Sequence, residues 1–389
     1  MTTETVLTNA RVVLPGGVVR GTVVVRDGSI AEISEGVVAH GEDFAGDYLM
    51  PGIVELHTDH LEYHFQPRPG THWDPVPAVL AHDAQLSSSG ATTVFDAVRV
   101  GAAPGSKDVT PAAAHALADA IGHAGQAGLL RAEHYIHLRC EVSAPDALES
   151  FETFLGEESV KLASLMDHTP GQRQYADLEA FRRYVVGKGR ITDAEFDSHV
   201  AALRESSAIY ADPHRQAIAE RATADGITLA THDDATEGHV EESVRLGVRI
   251  AEFPTTVAAA NAASANGQLI VMGAPNIVRG GSQSGNVAAS ELLGLGLLHI
   301  LSSDYVPASP LQAIVQLAAV GTLPIEAGAK LLSTNPARAV GLDDRGAIQS
   351  GLRADLVRVH EHALPATVSA SELHVPVVRS VWRQGRRVA

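Results

Sequence analysis

The chain has 389 residues, 45% of them hydrophobic, which is enough to bury a full barrel core and still carry a smaller second domain. Its 46 acidic against 29 basic side chains leave a net charge of −17, which argues against nucleic acid as the main partner. A small phosphorylated substrate stays compatible with that charge, provided metals and a few local Arg or Lys residues overcome the repulsive mean field. No apolar run is long enough to span a bilayer, so no membrane partner is expected. The first residues, Met-Thr-Thr-Glu-Thr-Val-Leu, show no basic segment leading into an apolar core, and the single cysteine, Cys140, excludes an internal disulfide. These features predict a cytoplasmic protein.

In chain order, residues 1–50 read as short β segments. Thr5–Leu14 is one, and Gly21–Ile30 is another with Asp27-Gly28 as its hairpin turn signal. From residue 52 to residue 303 the pattern changes to apolar, β-rich runs separated by Ala-rich helical stretches. The runs are Gly52–His57, Ala91–Ala97, His134–Glu141, Ser159–Asp167, Gly226–His232, Val248–Phe253, Leu269–Val278 and Leu298–Ser303. Helices are predicted at Pro111–Ala127 and Arg215–Ala224, among others. Eight such units match an α/β fold of the (β/α)8 TIM-like barrel type. A doubly wound open sheet would want a Gly-rich dinucleotide turn after its first strand, and the sequence has none. Residues 170–215 form a longer polar insertion with helical segments after the fourth strand; over a barrel mouth it would serve as a lid or a substrate-contacting element. The C-terminal stretch returns to β character at Gly346–Val359 and at Val377–Trp382, with Pro376 at the strand start, where a missing N–H is tolerated. Neither terminus alone makes a sheet with a covered face, but the two together could.

The densest chemistry lies in Met50–His64, where an apolar run ends in His57-Thr58-Asp59-His60-Leu61-Glu62-Tyr63-His64. A buried barrel strand aims alternate side chains at one point beyond its C-terminal end, so His57 and Asp59 share a face by parity. Later strands end in the same residue types. The third reaches Glu141, with His137 and Arg139 on its face and Cys140 turned away as a packing residue. The fourth ends at His168, the fifth at His232 and the eighth at Asp304. A lone strand-end histidine is more often a packed or solvated side chain. A His-x-Asp, a Glu, two more His and a late Asp are hard to explain that way, because three carboxylates buried together without cations would be strongly unfavourable. The set His57, Asp59, Glu141, His168, His232 and Asp304 therefore predicts one or two divalent metal ions per chain, zinc first, with manganese or iron as the other candidates. Glu141 is the expected bridging carboxylate. Lys161, a rival as a carboxylated lysine, sits at the wrong end of its strand. Asp304 is suited to bind a metal and take the proton from bound water.

Three features resemble the amidohydrolase superfamily: the run Pro51-Gly52-Ile53-Val54-Glu55-Leu56-His57, the eighth-strand Asp304, and Gly346-Ala347-Ile348 through Gly351-Leu352-Arg353-Ala354-Asp355-Leu356-Val357. That resemblance covers nearly the whole chain. It implies a metal-dependent barrel over 51–340 flanked by a small β-sandwich built from 1–50 and 341–389. The common first-strand His-x-His of that superfamily is here His57-Thr58-Asp59, which makes one metal position harder and more anionic. Several long motifs are similar to a narrower family, the α-D-ribose 1-methylphosphonate 5-triphosphate diphosphatases of bacterial phosphonate breakdown. They are Glu55–Glu62 followed by His64 and Pro67-Arg68-Pro69-Gly70, then Thr92–Ala97, Met166–Gln174, Arg279–Asn286 and Leu301–Pro307. This likeness implies release of diphosphate from the triphosphate, leaving the ribose 5-phosphate ester.

A triphosphate needs cationic partners, and Arg matches phosphate oxygens bidentately. Arg68, Arg139, Arg173 and Arg279 each lie on or just beyond a predicted strand end, and Gly280-Gly281-Ser282 could offer backbone N–H groups to an anion. These Arg residues, Ser282 and His64 are the expected contacts for a small phosphorylated sugar. His64 and His72 read equally well as substrate-orienting or surface residues. Lys107, Lys161 and Lys188 are less well placed, and His82-Asp83 reads as structural. Two rivals remain: a cyclic amidase or deaminase acting on a C–N bond with the same metal machinery, which would not need the Arg and Gly-Gly-Ser set, and a non-catalytic scaffold, which would not need the ligands. A homo-oligomer is left open.

Overall fold

The structure is a computed structural model that describes residues 3–68, 70–102, 110–175, 177–187, 191–282, 285–365 and 373–389. Pro69, Lys107, Lys188, Gln283 and Ser284, named above, lie outside the described residues. The strands in chain order are β1 (Glu4–Leu14), β2 (Gly17–Arg26), β3 (Ser29–Glu35), β4 (Glu42–Asp43), β5 (Tyr48–Pro51), β6 (Ile53–Thr58), β7 (Ala91–Val100), β8 (Glu133–Glu141), β9 (Val160–Met166), β10 (Thr228–His232), β11 (Ile250–Glu252), β12 (Leu269–Gly273), β13 (Ile300–Ser302), β14 (Leu356–Leu364), β15 (Leu373–Arg383) and β16 (Arg386–Arg387).

Two sheets use these strands. One runs β16-β15-β14-β5-β1-β2-β3, with β4 attached to β1, so both termini build it. Its core is Leu7, Val12, Val23, Val25, Ile30, Phe44, Leu49, Leu356 and Trp382, all buried, with the Phe44 and Trp382 rings stacked at 5.9 Å. The predicted Asp27-Gly28 turn joins β2 to β3. Both residues have positive φ, 50° and 84°, as a two-residue hairpin turn that matches strand twist requires. The expected strand over Gly346–Val359 begins only at Leu356. Residues 351–354 instead form turns against the start of β3, through Ile30 N–H to Leu352 O and Gly351 N–H to Ile30 O. Pro376 lies inside β15 rather than at its start, opposite Glu361 on β14. The short β16 reaches only Trp382 and Arg383 on the other side, so no ladder partner there requires the missing proline N–H.

The second sheet is parallel, in the order β13-β12-β11-β10-β9-β8-β7-β6, with helices between successive strands: a (β/α)8 barrel. Its strands are rich in apolar residues because both faces are covered; every residue of β6 is buried, Glu55, His57 and Thr58 included. Gly52 precedes β6 because a Cβ there would lie 2.3 Å from the Thr92 hydroxyl on β7. The first and last strands meet where Asp304 N–H donates to His57 O at 3.0 Å and Asp59 N–H to Asp304 O at 2.9 Å. Helices start where the sequence supplies a cap. Asp74 accepts from Val76 N–H ahead of Pro75–Ser88, Thr236 from His239 N–H, and Thr256 from Ala259 N–H. The seventh predicted strand, Leu269–Val278, stops at Gly273; Ala274–Arg279 is a helix with Pro275 in its first turn, where proline costs no hydrogen bond. The insertion after β9 contains helices Leu178–Gly187 and Phe196–Ala224, which share a small core of Phe181, Val185, Phe196, Val200 and Leu203.

By contacts the chain groups into two compact units, Met1–Asp96 with His123–His134 and Ile300–Ala389, and Ala97–Gly122 with Tyr135–His299. The site residues fall in both.

Candidate metal centre

In the first unit the structure brings His57, Asp59 and Asp304 together. Strand β6 ends at Thr58, so Asp59 leaves the strand and stands at the N-terminal boundary of the helix His60–Phe65, without a side-chain capping bond; the parity expected for it does not extend that far. It still reaches His57, with Oδ1 3.7 Å from Nε2. Asp304 has φ +52°, a left-handed conformation costly for a side-chain-bearing residue, and its backbone is pinned between His57 and Asp59. Beneath them Glu55 is buried and accepts the N–H groups of His57 at 2.9 Å and Ser303 at 2.8 Å. Burial pushes its carboxyl up to about 7 against those donors.

In the second unit Glu141, His168 and His232 come together. Glu141 ends β8 and His232 ends β10, while His168 lies just past the end of β9. The Glu141 carboxylate takes His168 Nδ1–H at 2.5 Å, His168 N–H at 3.1 Å and the Ser143 hydroxyl at 2.8 Å. Burial raises the Glu141 carboxyl, but the His168 ring and these donors outweigh it and hold it below the usual carboxylate value. Burial alone would lower His168; Glu141 and Asp233 reverse the sign and raise it. His232 donates Nδ1–H to Glu252 Oε2 at 3.2 Å, and Glu252 also takes the Ser164 hydroxyl at 2.6 Å. An ionised carboxylate only accepts, so each imidazole carries a proton on Nδ1 and turns its Nε2 away from that carboxylate.

Those two Nε2 atoms face Asp233. Its Oδ2 lies 3.3 Å from His232 Nε2 and 3.9 Å from His168 Nε2, is buried, and has no hydrogen-bond partner. A buried carboxylate oxygen without a donor is costly, and neither imidazole compensates it with a hydrogen bond. A cation can. His168, His232 and Asp233 offer ligand atoms all within 4.8 Å of one another, and a carboxylate on the far nitrogen of each imidazole is the arrangement that orients metal-binding histidines. The residues therefore fit a divalent metal.

Asp233 and Glu252 were not among the expected residues. Glu252 ends the sixth strand and falls under the same strand-end rule that picked out His232; Asp233 directly follows that histidine. His137, placed on the Glu141 face by parity, is buried with Nε2 against the Ser164 hydroxyl and 3.8 Å from Glu252 Oε1. Cys140 is buried, and burial pushes its thiol up, as a packing residue requires.

The expected substrate contacts differ in their surroundings. Arg68 and Arg279 are exposed. Arg139 is buried, with Nε 3.3 Å from Met166 Sδ. Arg173 is buried and paired with Asp234 and with Glu242, the latter at 3.4 Å. Arg279 closes a helix rather than a strand, and Gly280, at φ +77°, is its left-handed cap. The N–H groups of Gly280 and Gly281 donate to Ile277 O and Asn276 O, so neither is directed at an anion. Ser282 is half-buried next to this cap. His64 Nε2 lies 2.9 Å from Gln85 Oε1 on helix Pro75–Ser88. Lys161 is the second residue of β9 and exposed, away from the strand's C-terminal end.

Comparison with known proteins agrees with the fold. Residues 83–389 match the model of the amidohydrolase family. The chain is 44% identical over 387 residues, 98% of its length and 100% of the relative's, to the alpha-D-ribose 1-methylphosphonate 5-triphosphate diphosphatase of Escherichia coli (strain K12). Among solved structures, the dihydropyrimidinase of Brevibacillus agri NCHU1002 superposes with a TM-score of 0.64 at 13% identity, covering 99% of this chain and 95% of that one. The N-acetyl-D-glucosamine-6-phosphate deacetylase of Mycobacterium smegmatis gives 0.62 at 16%, covering 99% and 100%. At such identities these two likenesses speak for the fold alone.

Proposed function

The chain belongs to the amidohydrolase family, and from that premise we propose that it hydrolyses α-D-ribose 1-methylphosphonate 5-triphosphate to the 5-phosphate and diphosphate, a step of phosphonate catabolism. The observation that carries this reading is the end-to-end 44% identity to a relative of that name. Its chemical support is the ligand set His168, His232 and Asp233 with its orphaned oxygen.

In this reading His168, His232 and Asp233 hold a divalent cation, zinc by ligand type, and His57, Asp59 and Asp304 supply ligands as well. A bound cation of this kind lowers the pKa of a coordinated water and neutralises charge on phosphoryl oxygens. The chain's own groups do the rest. Glu141 and Glu252 keep the two imidazoles in the Nδ1–H tautomer, so that Nε2 faces the ligand position. Glu141 is thus an orienting carboxylate rather than the bridging ligand expected from its strand position. Asp304, fixed through its backbone, takes the proton of the attacking water on its carboxylate. Arg68, Arg139, Arg279, Ser282 and His64 bind the substrate, with the two exposed arginines free to engage the leaving diphosphate. Among the described residues no helix is long and apolar enough to cross a membrane, and we place the enzyme in the cytoplasm.

The test is direct. Metal-reconstituted protein given the ribosyl triphosphate is expected to release diphosphate, read by phosphorus NMR. Release of single phosphate, or turnover of dihydropyrimidines in its place, would overturn the assignment.

A further inference from the structure

Resting on the reading of His168, His232 and Asp233 as cation ligands, we propose that Arg173 and Arg215 are positioning residues that set those ligands through the acidic residues next to them in sequence. The observation is an alternating chain of charge, Asp234–Arg173–Glu242–Arg215–Asp167. Arg173 Nη1 pairs with Asp234 Oδ1, and its Nη2 lies 3.4 Å from Glu242 Oε2. Arg215 Nη1 lies 3.2 Å from Glu242 Oε1 and 2.7 Å from Asp212 Oδ1, and its Nη2 lies 3.6 Å from Asp167 Oδ2. The two ends of the chain, Asp234 and Asp167, flank the ligands Asp233 and His168.

Each end has a reason to need holding. Asp233 has φ +60°, a conformation a non-glycine residue keeps only where its surroundings over-determine it. Its N–H donates to Glu252 O, Thr255 N–H donates to Asp234 O, and Asp234 is itself 1% exposed. Without Arg173 the Asp234 carboxylate would be buried and unpaired. Its simplest escape is to turn towards water, which releases the left-handed turn and withdraws the Asp233 oxygen from the two Nε2 atoms. At the other end Asp167 folds the loop behind His168 by accepting from Thr169 N–H at 3.1 Å, Gln172 Nε2 at 2.8 Å and the Ser207 hydroxyl at 3.3 Å. Arg215, on the long helix of the insertion, neutralises that carboxylate. Arg173, Glu242, Arg215 and Asp167 line a cavity of about 250 Å³ bordered by Gln172, Ser207 and His239, so water can reach the Glu242 and Asp167 carboxylates when an arginine is truncated. Arg173→Met should therefore fold.

The experiment uses the full chain stripped of metal and titrated with zinc against a chromophoric chelator, with kcat, KM for the triphosphate and thermal midpoint measured alongside. Arg173→Met is expected to weaken zinc affinity roughly 10–100-fold, the usual cost of losing an orienting partner, with KM within about twofold and kcat restored by excess metal. Arg215→Met should act the same way, and Arg173→Lys should recover part of the loss. Asp234→Asn, which keeps the side-chain volume, should also weaken zinc affinity and decides the matter if the arginine variant fails to fold. A tenfold rise in KM with zinc affinity unchanged would make Arg173 a phosphate contact and overturn the proposal, as would no change in affinity in any variant. A His232→Ala protein that binds zinc as tightly as the native chain would instead overturn the underlying assignment of the ligands.

Discussion

Two buried clusters of histidine and carboxylate in this chain look alike on paper and differ in what they leave unsatisfied. The first joins His82 and Asp83 of helix Pro75–Ser88 to Asp96 on β7 and His134 on β8. Asp96 takes His82 Nε2–H at 2.8 Å and His134 Nδ1–H at 2.7 Å; Asp83 takes His134 Nε2–H at 3.2 Å and the N–H groups of Arg131 and Ala132. Each carboxylate oxygen has a donor. Burial alone would lower His134, but the two flanking carboxylates raise it to about 9, and Asp96 is held down at about 2 in spite of its own burial. What this cluster leaves over is the Nδ1 of His82, whose burial keeps the ring neutral. The second cluster, His168, His232 and Asp233, turns two imidazole Nε2 atoms towards a carboxylate oxygen that has no hydrogen-bond donor. In the first, the network itself satisfies every carboxylate oxygen. The second leaves one carboxylate oxygen that a cation could satisfy. A census of His and Asp does not separate the two; the direction of the Nε2 atoms does.

The sharpest way to break this contrast is to truncate each cluster in turn. His168→Ala or His232→Ala should abolish tight metal binding and lower kcat/KM by about a thousandfold or more while the chain stays folded, as elemental analysis, kinetics and circular dichroism would show. Folded, active protein with its full metal content would end the distinction. His134→Gln should do the reverse, destabilising the fold by about 3–5 kcal/mol in denaturant unfolding because buried Asp96 loses the cation beside it and Asp83 keeps only Arg131 as a cationic partner, with metal content per folded chain unchanged.

The same cluster predicts a pH dependence. His134 titrates near 9 in the folded chain and near its ordinary value of 6.5 when unfolded. Its contribution is therefore fully present below about pH 6.5 and is lost as pH rises towards 9. Denaturant midpoints should fall across that window in the native chain, and His134→Gln should remove that part of the slope; equal slopes in both would contradict the ion pair. The smallest effect is expected at the exposed arginines. Arg279→Ala and Arg68→Ala should each raise KM for the triphosphate roughly 5–30-fold with little change in kcat, since a solvent-reaching phosphate contact contributes about 1–2 kcal/mol.

Much of this was legible from residues alone. Apolar runs ending in His57, Glu141 and His232 located three barrel strands and the polar side chains at their ends, because a parallel strand covered on both faces is largely apolar up to its exposed end. The rule weakened where an apolar run continued into something else. Leu269–Val278 reads as one strand, yet Pro275 opens a helix, and hydrophobicity alone does not separate a buried strand from a short buried helix. Arg279 consequently ends a helix, and the Gly280-Gly281 N–H groups cap it. Asp59 stands beyond the strand whose parity was used to aim it. Arg173 lies beyond a strand end as expected, but its partners Asp234 and Glu242 are about 60 and 70 positions away, a pairing that no local pattern encodes. Glu252 was within reach of the strand-end rule, and Asp233 differs from an ordinary loop aspartate only in where its oxygen points.

The central claim is that water is added to the phosphorus nearest the ribose and diphosphate departs. Single-turnover hydrolysis of the ribosyl triphosphate by the zinc-loaded chain in ¹⁸O-enriched water, read by isotope-shifted phosphorus NMR, tests it most directly. The account predicts the label on the ribose 5-phosphate and none in the diphosphate; label in the diphosphate, or in a single released phosphate, would contradict it.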